Sequence, residues 1–232
     1  MNVTKSVPIR KNLTHAVEDY LKTIYLIQST QGRASTKDIA DELQVKPASV
    51  TGMVQKLSET RPPLLEYRKH QGVTLTEQGE EVALEIIRHH RLLELFLTQI
   101  LGYEWEDVHA EADRLEHVIS EEFEERIAEA LGDPSHDPHG DPIPTRDLQI
   151  PASSNTRLYD LRAGDAAVIE RVQDRDPDLL RYLSEIGMLP QTHLTVLEYS
   201  PFDENLRLDV AGQPEPIVLG PRVTRQIFVC KV

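Results

Sequence analysis

The chain has 232 residues, 39% of them hydrophobic, and a net charge of −14. This length allows one large domain or a few small ones, and no apolar run reaches the ~20 residues of a membrane-spanning helix or resembles a secretion signal, so we expect a cytoplasmic protein that does not bind membranes. A single cysteine, Cys230, excludes a disulfide framework and a thiolate zinc cluster, so any metal must be bound by oxygen and nitrogen.

The chain is predicted to begin with an arm and a first helix. Residues 1–11 are predicted to form a mobile arm that carries Lys5, Arg10 and Lys11. Thr14 can cap a helix in which apolar residues recur every three to four positions, and Gly32 is expected to end it.

The next two helices predict a helix-turn-helix. Ser35 and Asp38 resemble a capping box for a short helix ending near Leu43, and Pro47 is well placed to begin a helix ending near Leu57. The outer face of this last helix is small and polar, which suits the major groove of DNA. Residues 1–80 carry 11 Lys/Arg and 9 Asp/Glu, so this part of an acidic chain is where a polyanion is expected to bind.

A β-hairpin is predicted directly after the helix-turn-helix. Two β-prone runs, at 64–68 and 73–76, flank a polar turn that contains Gly72. Such a hairpin is typical of a wing that lies along the phosphate backbone, and the alternative is an incidental hairpin on a small helical domain. The candidate DNA-binding residues are Ser35, Thr36, Lys46, Pro47, Ala48, Ser49, Thr51, Gly52, Gln55, Arg68 and Lys69.

Two long helices are predicted next, and their histidines and acids indicate metal ligands. The helices are expected over 77–101 and 104–131, in a segment where residues 81–140 carry 16 Asp/Glu and 4 Lys/Arg. At about 100° per residue, His109, Asp113, Glu116 and His117 fall within roughly a 100° arc of one helix face. Imidazoles and carboxylates both bind divalent cations. The alternative is a solvated face, because acidic helices often carry His and Glu at this spacing.

The same two helices carry more apolar surface than a single pair can bury. The surplus lies around residues 92–101 and near Val118, Ile119 and Phe123. It predicts a symmetric dimer interface.

The last third of the chain is predicted to be a linker and a barrel. Prolines between Asp133 and Pro151 indicate an extended connection. His136, Asp137 and His139 within it offer a further metal site, although the neighbouring Pro and Gly favour a fixed turn instead. A short helix at 178–185 and β-prone runs predict a small five-stranded barrel, the runs being 166–169, 194–197, 206–210, 217–219 and 226–229.

In this order, the parts resemble the diphtheria toxin repressor family of metal-dependent regulators. The resemblance covers nearly the whole chain and includes Asp113-x-x-Glu116-His117, His-Gly-Asp-Pro-Ile-Pro at 139–144 and Tyr-Leu-Ser-Glu-Ile-Gly-Met at 182–188. It implies an α+β multidomain fold. The implied domains are a winged helix-turn-helix over 1–76, a helical metal-binding and dimerisation domain with its Pro-rich linker over 77–150, and an SH3-like (FeoA-type) domain over 151–232.

The resemblance also implies two metal sites. One matches Asp19, Asp113, Glu116 and His117; the other matches His90, Glu94 and His109, with Asp176 as the nearest counterpart from the barrel. Iron-responsive members of the family have Met and Cys where Asp19 and Asp113 stand here, so the hard oxygen ligands favour Mn²⁺, with Fe²⁺ as the alternative. Lys22 stands where barrel-less manganese regulators have Glu, which favours separate sites over a closely spaced two-metal cluster.

We therefore expect a regulator rather than an enzyme. The implied protein is a homodimer that binds double-stranded operator DNA, takes no small-molecule substrate besides metal ions and represses metal-uptake genes when loaded with metal. An ion held by Asp19 and the dimerisation helices would fix the two recognition helices at the spacing of the half-sites. The alternatives are a di-metal carboxylate enzyme in a helical bundle and a metal-independent winged-helix regulator.

Overall fold

The structure is a computed structural model that describes residues 10–173 and 176–232. Most of the predicted arm, with Lys5, lies outside the described residues. At its end, Arg10–Asn12 form a 3-10 turn. Arg10 is only 9% exposed, so the expectation of a mobile side chain is wrong at this position. The reason is a set of buried acidic partners described below.

The first three helices form the predicted helix-turn-helix. They are α1 (His15–Gln31), α2 (Thr36–Glu42) and α3 (Pro47–Ser58). Gly32 ends α1 in the left-handed conformation (φ 78°), which glycine adopts at little cost. The Ser35 hydroxyl accepts from the backbone N–H of Asp38 and caps α2, and Pro47 begins α3. Their apolar faces meet in one core that includes Leu21, Ile24, Ile39, Val50, Val54 and Leu57.

The predicted hairpin consists of β1 (Leu65–Arg68) and β2 (Gly72–Leu75), which pair antiparallel. Its inner residues Leu65 and Val73 are buried in the core of the helix-turn-helix. The turn between the strands is therefore presented outward while the base of the hairpin is fixed.

The first long helix is present, and the second is interrupted. The helix α4 spans Glu77–Gln99, but the segment predicted as one helix over 104–131 forms α5 (Val108–Leu115) and α6 (Glu121–Ala130). In a continuous helix the Glu116 carbonyl would accept from the N–H four residues later. Here it accepts from the side chains of Arg10 and His89, each at 3.0 Å. Ser120 then caps α6 through the N–H of Phe123.

The interruption changes which side chains share a face. His109 and Asp113 remain one turn apart on α5, whereas Glu116 and His117 lie in the connection after it. The prediction of one helical face carrying all four ligands is therefore wrong.

Five strands follow the linker: β3 (Ala166–Val172), β4 (His193–Tyr199), β5 (Leu206–Val210), β6 (Ile217–Leu219) and β7 (Ile227–Lys231). They form an antiparallel sheet with the order β6-β5-β4-β3-β7. Its helices are α7 (Pro177–Glu185) and α8 (Pro221–Thr224), and a 3-10 turn spans Leu158–Asp160. Alternate residues of the strands and the apolar face of α7 form a second core.

The described chain forms two compact units. The first contains the chain up to His89, Glu116–Glu124 and Pro144–Gln149. The second contains His90–Leu115, Glu125–Ile143 and Ile150–Val232. Within residues 10–173 and 176–232, no helix combines the length and apolar composition that crossing a membrane requires.

Gly79 provides a test of how α4 packs. A Cβ at this position would lie 1.9 Å from the carbonyl oxygen of Leu64, whereas a Cβ at Gly52 of α3 would meet nothing within 4 Å. We expect Gly79→Ala to lower the free energy of unfolding by about 1–3 kcal/mol through overpacking. The matched Gly52→Ala should raise it by up to about 1 kcal/mol through helix propensity. Urea unfolding of the metal-free protein measures both, and equal stability of the two variants would contradict the close approach.

Candidate metal centres and DNA-binding face

The first candidate metal centre joins α1 to the connection between α5 and α6. It consists of Asp19, Glu116 and His117, whose ligand atoms lie within 4.8 Å of one another. His117 Nε2 is 2.9 Å from Asp19 Oδ1 and 3.5 Å from Glu116 Oε1. The side chains of Glu116 and His117 are 1% and 7% exposed, while the Asp19 side chain is 44% exposed. Such a site is therefore open to solvent on the Asp19 side.

Glu18 orients the imidazole of this centre. His117 Nδ1 donates to Glu18 Oε2 at 2.7 Å, and the ring stacks on His15 with centroids 4.8 Å apart. A carboxylate holding the far nitrogen of a ligating histidine is the usual way to fix its tautomer, so Nε2 is the nitrogen offered to a metal. Burial lowers the pKa of His117, but hydrogen bonds to Asp19 and Glu18 and the charge of Glu116 outweigh it and raise the pKa to about 9.

Lys22 supplies a fixed positive charge at the same centre. Its ammonium donates to both carboxylate oxygens of Glu116, at 3.1 and 2.8 Å. Glu116 is only 1% exposed, so this pair is shielded from water. A second divalent ion next to Glu116 would be repelled by the ammonium, which favours a single ion at this centre.

The second candidate centre lies in the other unit and contains His90, His109 and Asp113. The two histidines also share Glu94, whose Oε1 is 3.0 Å from His90 Nε2 and 3.0 Å from His109 Nδ1. Asp113 Oδ1 is 3.3 Å from His90 Nδ1. The structure thus places Asp113 beside His90 and His109 within one unit; its membership of the Asp19 group, which the resemblance implied, stays a prediction.

Glu94 also belongs to a third group, with Asp137 and His139 of the linker. All three side chains are buried. Asp137 Oδ1 accepts from the backbone N–H groups of His139 and Asp141. His139 donates through Nε2 to the carbonyl of Trp105 at 2.8 Å, so its Nδ1 is the nitrogen directed toward Glu94, 3.7 Å away.

The buried charge of this third group suits a cation. Among the described residues, Glu94 Oε2 and Asp137 Oδ2 are buried without a hydrogen-bond partner. Burial raises the pKa of Asp137 well above its usual range, and the charges of Glu94 and Asp141 act in the same direction. Burial also acts to raise the pKa of Glu94, but His90, His109 and His139 hold it well below its usual range. A divalent ion would neutralise these facing carboxylates.

The sequence analysis named Asp137 and His139 as a possible metal site but favoured a fixed turn, and it did not predict that Glu94 joins them. The fixed turn predicted from Pro138 and Gly140 is compatible with such a group, because a rigid turn holds two donors two residues apart in place. A Cβ at Gly140 would lie 2.0 Å from the carbonyl of Glu170, so the turn packs directly on β3. His136, which was considered with them, is exposed and contacts Ser135 instead.

Asp176, the expected counterpart from the barrel, has a different role. Its carboxylate accepts from the backbone N–H groups of Asp178 and Leu179 and caps α7. None of the groups of metal-ligating side chains found among the described residues includes Asp176.

The predicted DNA-binding residues lie on the outside of α3 and at the tip of the hairpin. Val50, Val54 and Leu57 point into the core, and Arg68 and Lys69 are exposed at the turn of the hairpin. Thr36 and Thr51 are half-buried, and the Thr51 hydroxyl donates to the carbonyl of Pro47. The exposed members of the set around α2 and α3 are Ser35, Lys46, Pro47, Ala48, Ser49, Gly52 and Gln55.

A winged helix-turn-helix, with imidazole and carboxylate groups on the elements that follow it, defines a metal-dependent DNA-binding regulator. Three family models match the chain: iron dependent repressor, N-terminal DNA binding domain (residues 12–73); iron dependent repressor, metal binding and dimerisation domain (76–145); and FeoA domain (156–231).

Full-length relatives agree with these matches. The chain is 34% identical over 234 residues to the iron-dependent repressor IdeR of Mycobacterium leprae (strain TN), covering 95% of this chain and 99% of that one. It is 38% identical over 118 residues to the HTH-type transcriptional regulator MntR of Lysinibacillus sphaericus (strain C3-41), covering 51% and 83%. A solved structure of a manganese-dependent transcriptional repressor in complex with manganese has 37% identity and a TM-score of 0.86, covering 93% of this chain and all 100% of that one.

The chain belongs to the iron-dependent repressor family, which includes the diphtheria toxin repressor. It is a metal-dependent DNA-binding transcriptional regulator. The predicted family, the α+β fold with its SH3-like domain and the non-enzymatic class are confirmed.

Binding at the first centre should depend on pH. A metal binds the deprotonated imidazole, and His117 with a pKa of about 9 holds a proton at neutral pH. We expect the Mn²⁺ affinity to rise as the pH increases from 6 toward 9, with about one proton released per ion at pH 7. Calorimetric titration in buffers of different ionisation enthalpy measures the release.

The matched control is Asp19→Ala, which removes a ligand of the first centre and leaves the residues of the other groups in place. The released proton should be lost with this variant. Equal proton release from both proteins would contradict the assignment of that proton to His117.

Proposed function

We propose that this chain acts in the cytoplasm as a homodimeric repressor of metal-uptake genes and binds its operator DNA when loaded with Mn²⁺. Fe²⁺ is the alternative metal. The proposed ligands are Asp19, Glu116 and His117 at the first centre, and His90, Glu94, His109 and Asp113 with Asp137 and His139 at the adjoining groups.

The donor chemistry supports Mn²⁺. The proposed ligands offer only carboxylate oxygens and imidazole nitrogens, and hard oxygen donors suit Mn²⁺ better than thiolate or thioether sulfur does. The single cysteine, Cys230, lies in β7, and its thiol donates to Glu170. The relatives named above carry both iron and manganese in their names, so the ranking of the two ions is a matter for titration.

The observation that carries the proposal is the position of the first centre. Asp19 lies on α1 of the helix-turn-helix, whereas Glu116 and His117 lie in the connection between α5 and α6. Glu18, Asp19 and Glu116 converge on the single imidazole of His117, at 2.7, 2.9 and 3.5 Å. In the metal-free protein the protonated His117, Lys22 and Arg10 offset part of this negative charge. A bound divalent cation would take the place of the His117 proton among the carboxylates. These side chains then hold α1 against the connection, which favours one arrangement of the DNA-binding elements.

Exposed apolar residues support the homodimer. Much of the surplus predicted around residues 92–101 is buried within the chain, including Leu92, Leu95 and Leu97. Ile100, Leu101, Val118 and Phe123 remain 47–63% exposed. Apolar side chains of this size at the surface are typical of an interface between subunits.

The exposed face of α3 supports operator binding. Small and polar residues there permit close approach to base edges, and Arg68 and Lys69 at the wing are suited to phosphates. In a homodimer, two such faces would read two half-sites related by the same symmetry.

A mobility-shift assay on promoter DNA of a manganese or iron transporter gene tests the proposal. We expect a shift with Mn²⁺ that disappears with chelator, and loss of the Mn²⁺-dependent shift in His117→Ala. The matched control is His136→Ala, since His136 is exposed and belongs to none of the metal-ligating groups found among the described residues. A chelator-insensitive shift would contradict the proposal that operator binding requires the metal.

Replacing Asp19 should change the metal preference of the first centre. We expect Asp19→Met to weaken Mn²⁺ relative to softer ions such as Zn²⁺ or Cd²⁺, because a thioether replaces a hard oxygen ligand. Competition titration with each ion measures the change, and Asp41→Met at an exposed position of α2 is the control. An unchanged order of preference would argue against Asp19 as a ligand.

A further inference from the structure

Arg10 lies at the centre of a buried polar network in front of α1. Its guanidinium donates to Glu18 Oε1 at 3.1 Å, to Glu85 Oε1 at 2.7 Å and to the Glu116 carbonyl at 3.0 Å. His89 Nε2 is 3.3 Å from the same side chain. One residue from the segment preceding α1 therefore contacts α1, α4 and the connection between α5 and α6.

The partners of Arg10 form a group of the kind that elsewhere in this chain is proposed to hold a metal. Glu85, His89 and Glu121 bring their ligand atoms within 4.8 Å of one another. The guanidinium occupies this group as an internal cation, with Glu121 Oε1 also 3.7 Å away. Even so, burial and the neighbouring Glu121 raise the pKa of Glu85 to about 7. Removing the guanidinium would leave Glu85 as a buried acid without its cation and Glu18 with His117 alone as its cationic partner, which is costly.

Two of these contacts lead directly to the first metal centre. Glu18 uses one carboxylate oxygen for Arg10 and the other for His117 Nδ1. The Glu116 carbonyl, held by Arg10 and His89, is the group that would otherwise continue α5. The guanidinium therefore acts on both the orientation of the His117 ring and the turn that presents Glu116 and His117 to Asp19.

We propose that Arg10 is a positioning residue of the Asp19–Glu116–His117 metal centre, which it assembles before the metal arrives. This inference rests on the proposed function, since it takes these three residues to be ligands. The planar guanidinium is suited to the role because it donates in several fixed directions at once, whereas an ammonium acts as a point charge.

The experiment compares Arg10 variants in two backgrounds, with Mn²⁺ alone as the probe. Glu94→Ala removes the carboxylate shared by the second centre and the Asp137–His139 group, so that binding reports on the first centre. Asp19→Ala removes a member of the first centre, so that binding reports on the other groups. Free Mn²⁺ is measured by its electron paramagnetic resonance signal. We expect Arg10→Ala to weaken binding about 10–100-fold in the Glu94→Ala background, the usual effect of losing a group that orients a ligand. In the Asp19→Ala background, we expect no change beyond about twofold, because the Glu94 group has no part in this network.

Conservative and control variants separate positioning from general stability. Arg10→Lys keeps the charge and should recover part of the affinity, and it remains available if Arg10→Ala does not fold. Arg126→Ala, at an exposed position on α6 where Arg126 is 3.8 Å from Glu129, should leave Mn²⁺ binding unchanged in both backgrounds. Thermal unfolding of each metal-free variant shows whether the fold is intact.

Each outcome supports or overturns the positioning role of Arg10. Weaker binding at the first centre alone, partly recovered with lysine, supports the proposal. Equal weakening in both backgrounds, or unchanged affinity at the first centre, overturns it while leaving the ligands in place. If Asp19→Ala by itself costs no Mn²⁺ binding, the ligand assignment fails, and the role of Arg10 fails with it.

Discussion

The hydrogen bonds that the Glu116 carbonyl accepts from Arg10 and His89 determine where α5 ends and where the ligands of the first centre lie. Glu116 would continue α5 if its carbonyl accepted a helical hydrogen bond, but Arg10 and His89 bind it instead. The chain then turns, α6 starts afresh at Ser120, and two ligand side chains are delivered to α1 rather than remaining on one helix face. Side-chain donors thus compete with a backbone N–H for this carbonyl, and the result determines whether Glu116 and His117 reach Asp19.

Buried charge is arranged differently in the two units. In the first, Arg10 and Lys22 neutralise acids around the site, so the metal-free protein is already partly compensated. In the second, Glu94 and Asp137 face one another among histidines, and the pKa values of the two acids are driven apart. Anything that binds the folded chain at such groups also stabilises it. Metal supply and the stability of each unit are therefore linked.

Much of the fold could be predicted from the sequence because local signals agreed with tertiary packing. Local signals of this kind are the Ser35 cap, Pro47 at a helix start and the alternating apolar residues of the strands. Each favours the local conformation that the structure has. The break at Glu116 could not be predicted this way, since its cause is Arg10, more than a hundred residues away in sequence. A local signal for the break was Ser120, a possible helix N-cap that follows the β-branched Val118 and Ile119 and precedes acidic residues. The grouping of Asp137 and His139 with Glu94 was not predicted for a related reason, because Glu94 is distant from them in sequence. Pro138 and Gly140 were taken to favour a fixed turn over a metal site, but a turn can still carry ligands.

Trp105 is the single tryptophan of the chain, and its ring lies 5.3 Å from that of His139. The same residue packs against the core of the five-stranded sheet. An indole in this position is an intrinsic fluorophore beside one buried group, while Asp19, Glu116 and His117 belong to the other compact unit. A paramagnetic ion held by His139 would quench its emission at short range. Quenching of Trp105 fluorescence would therefore report that the group containing His139 has bound such an ion.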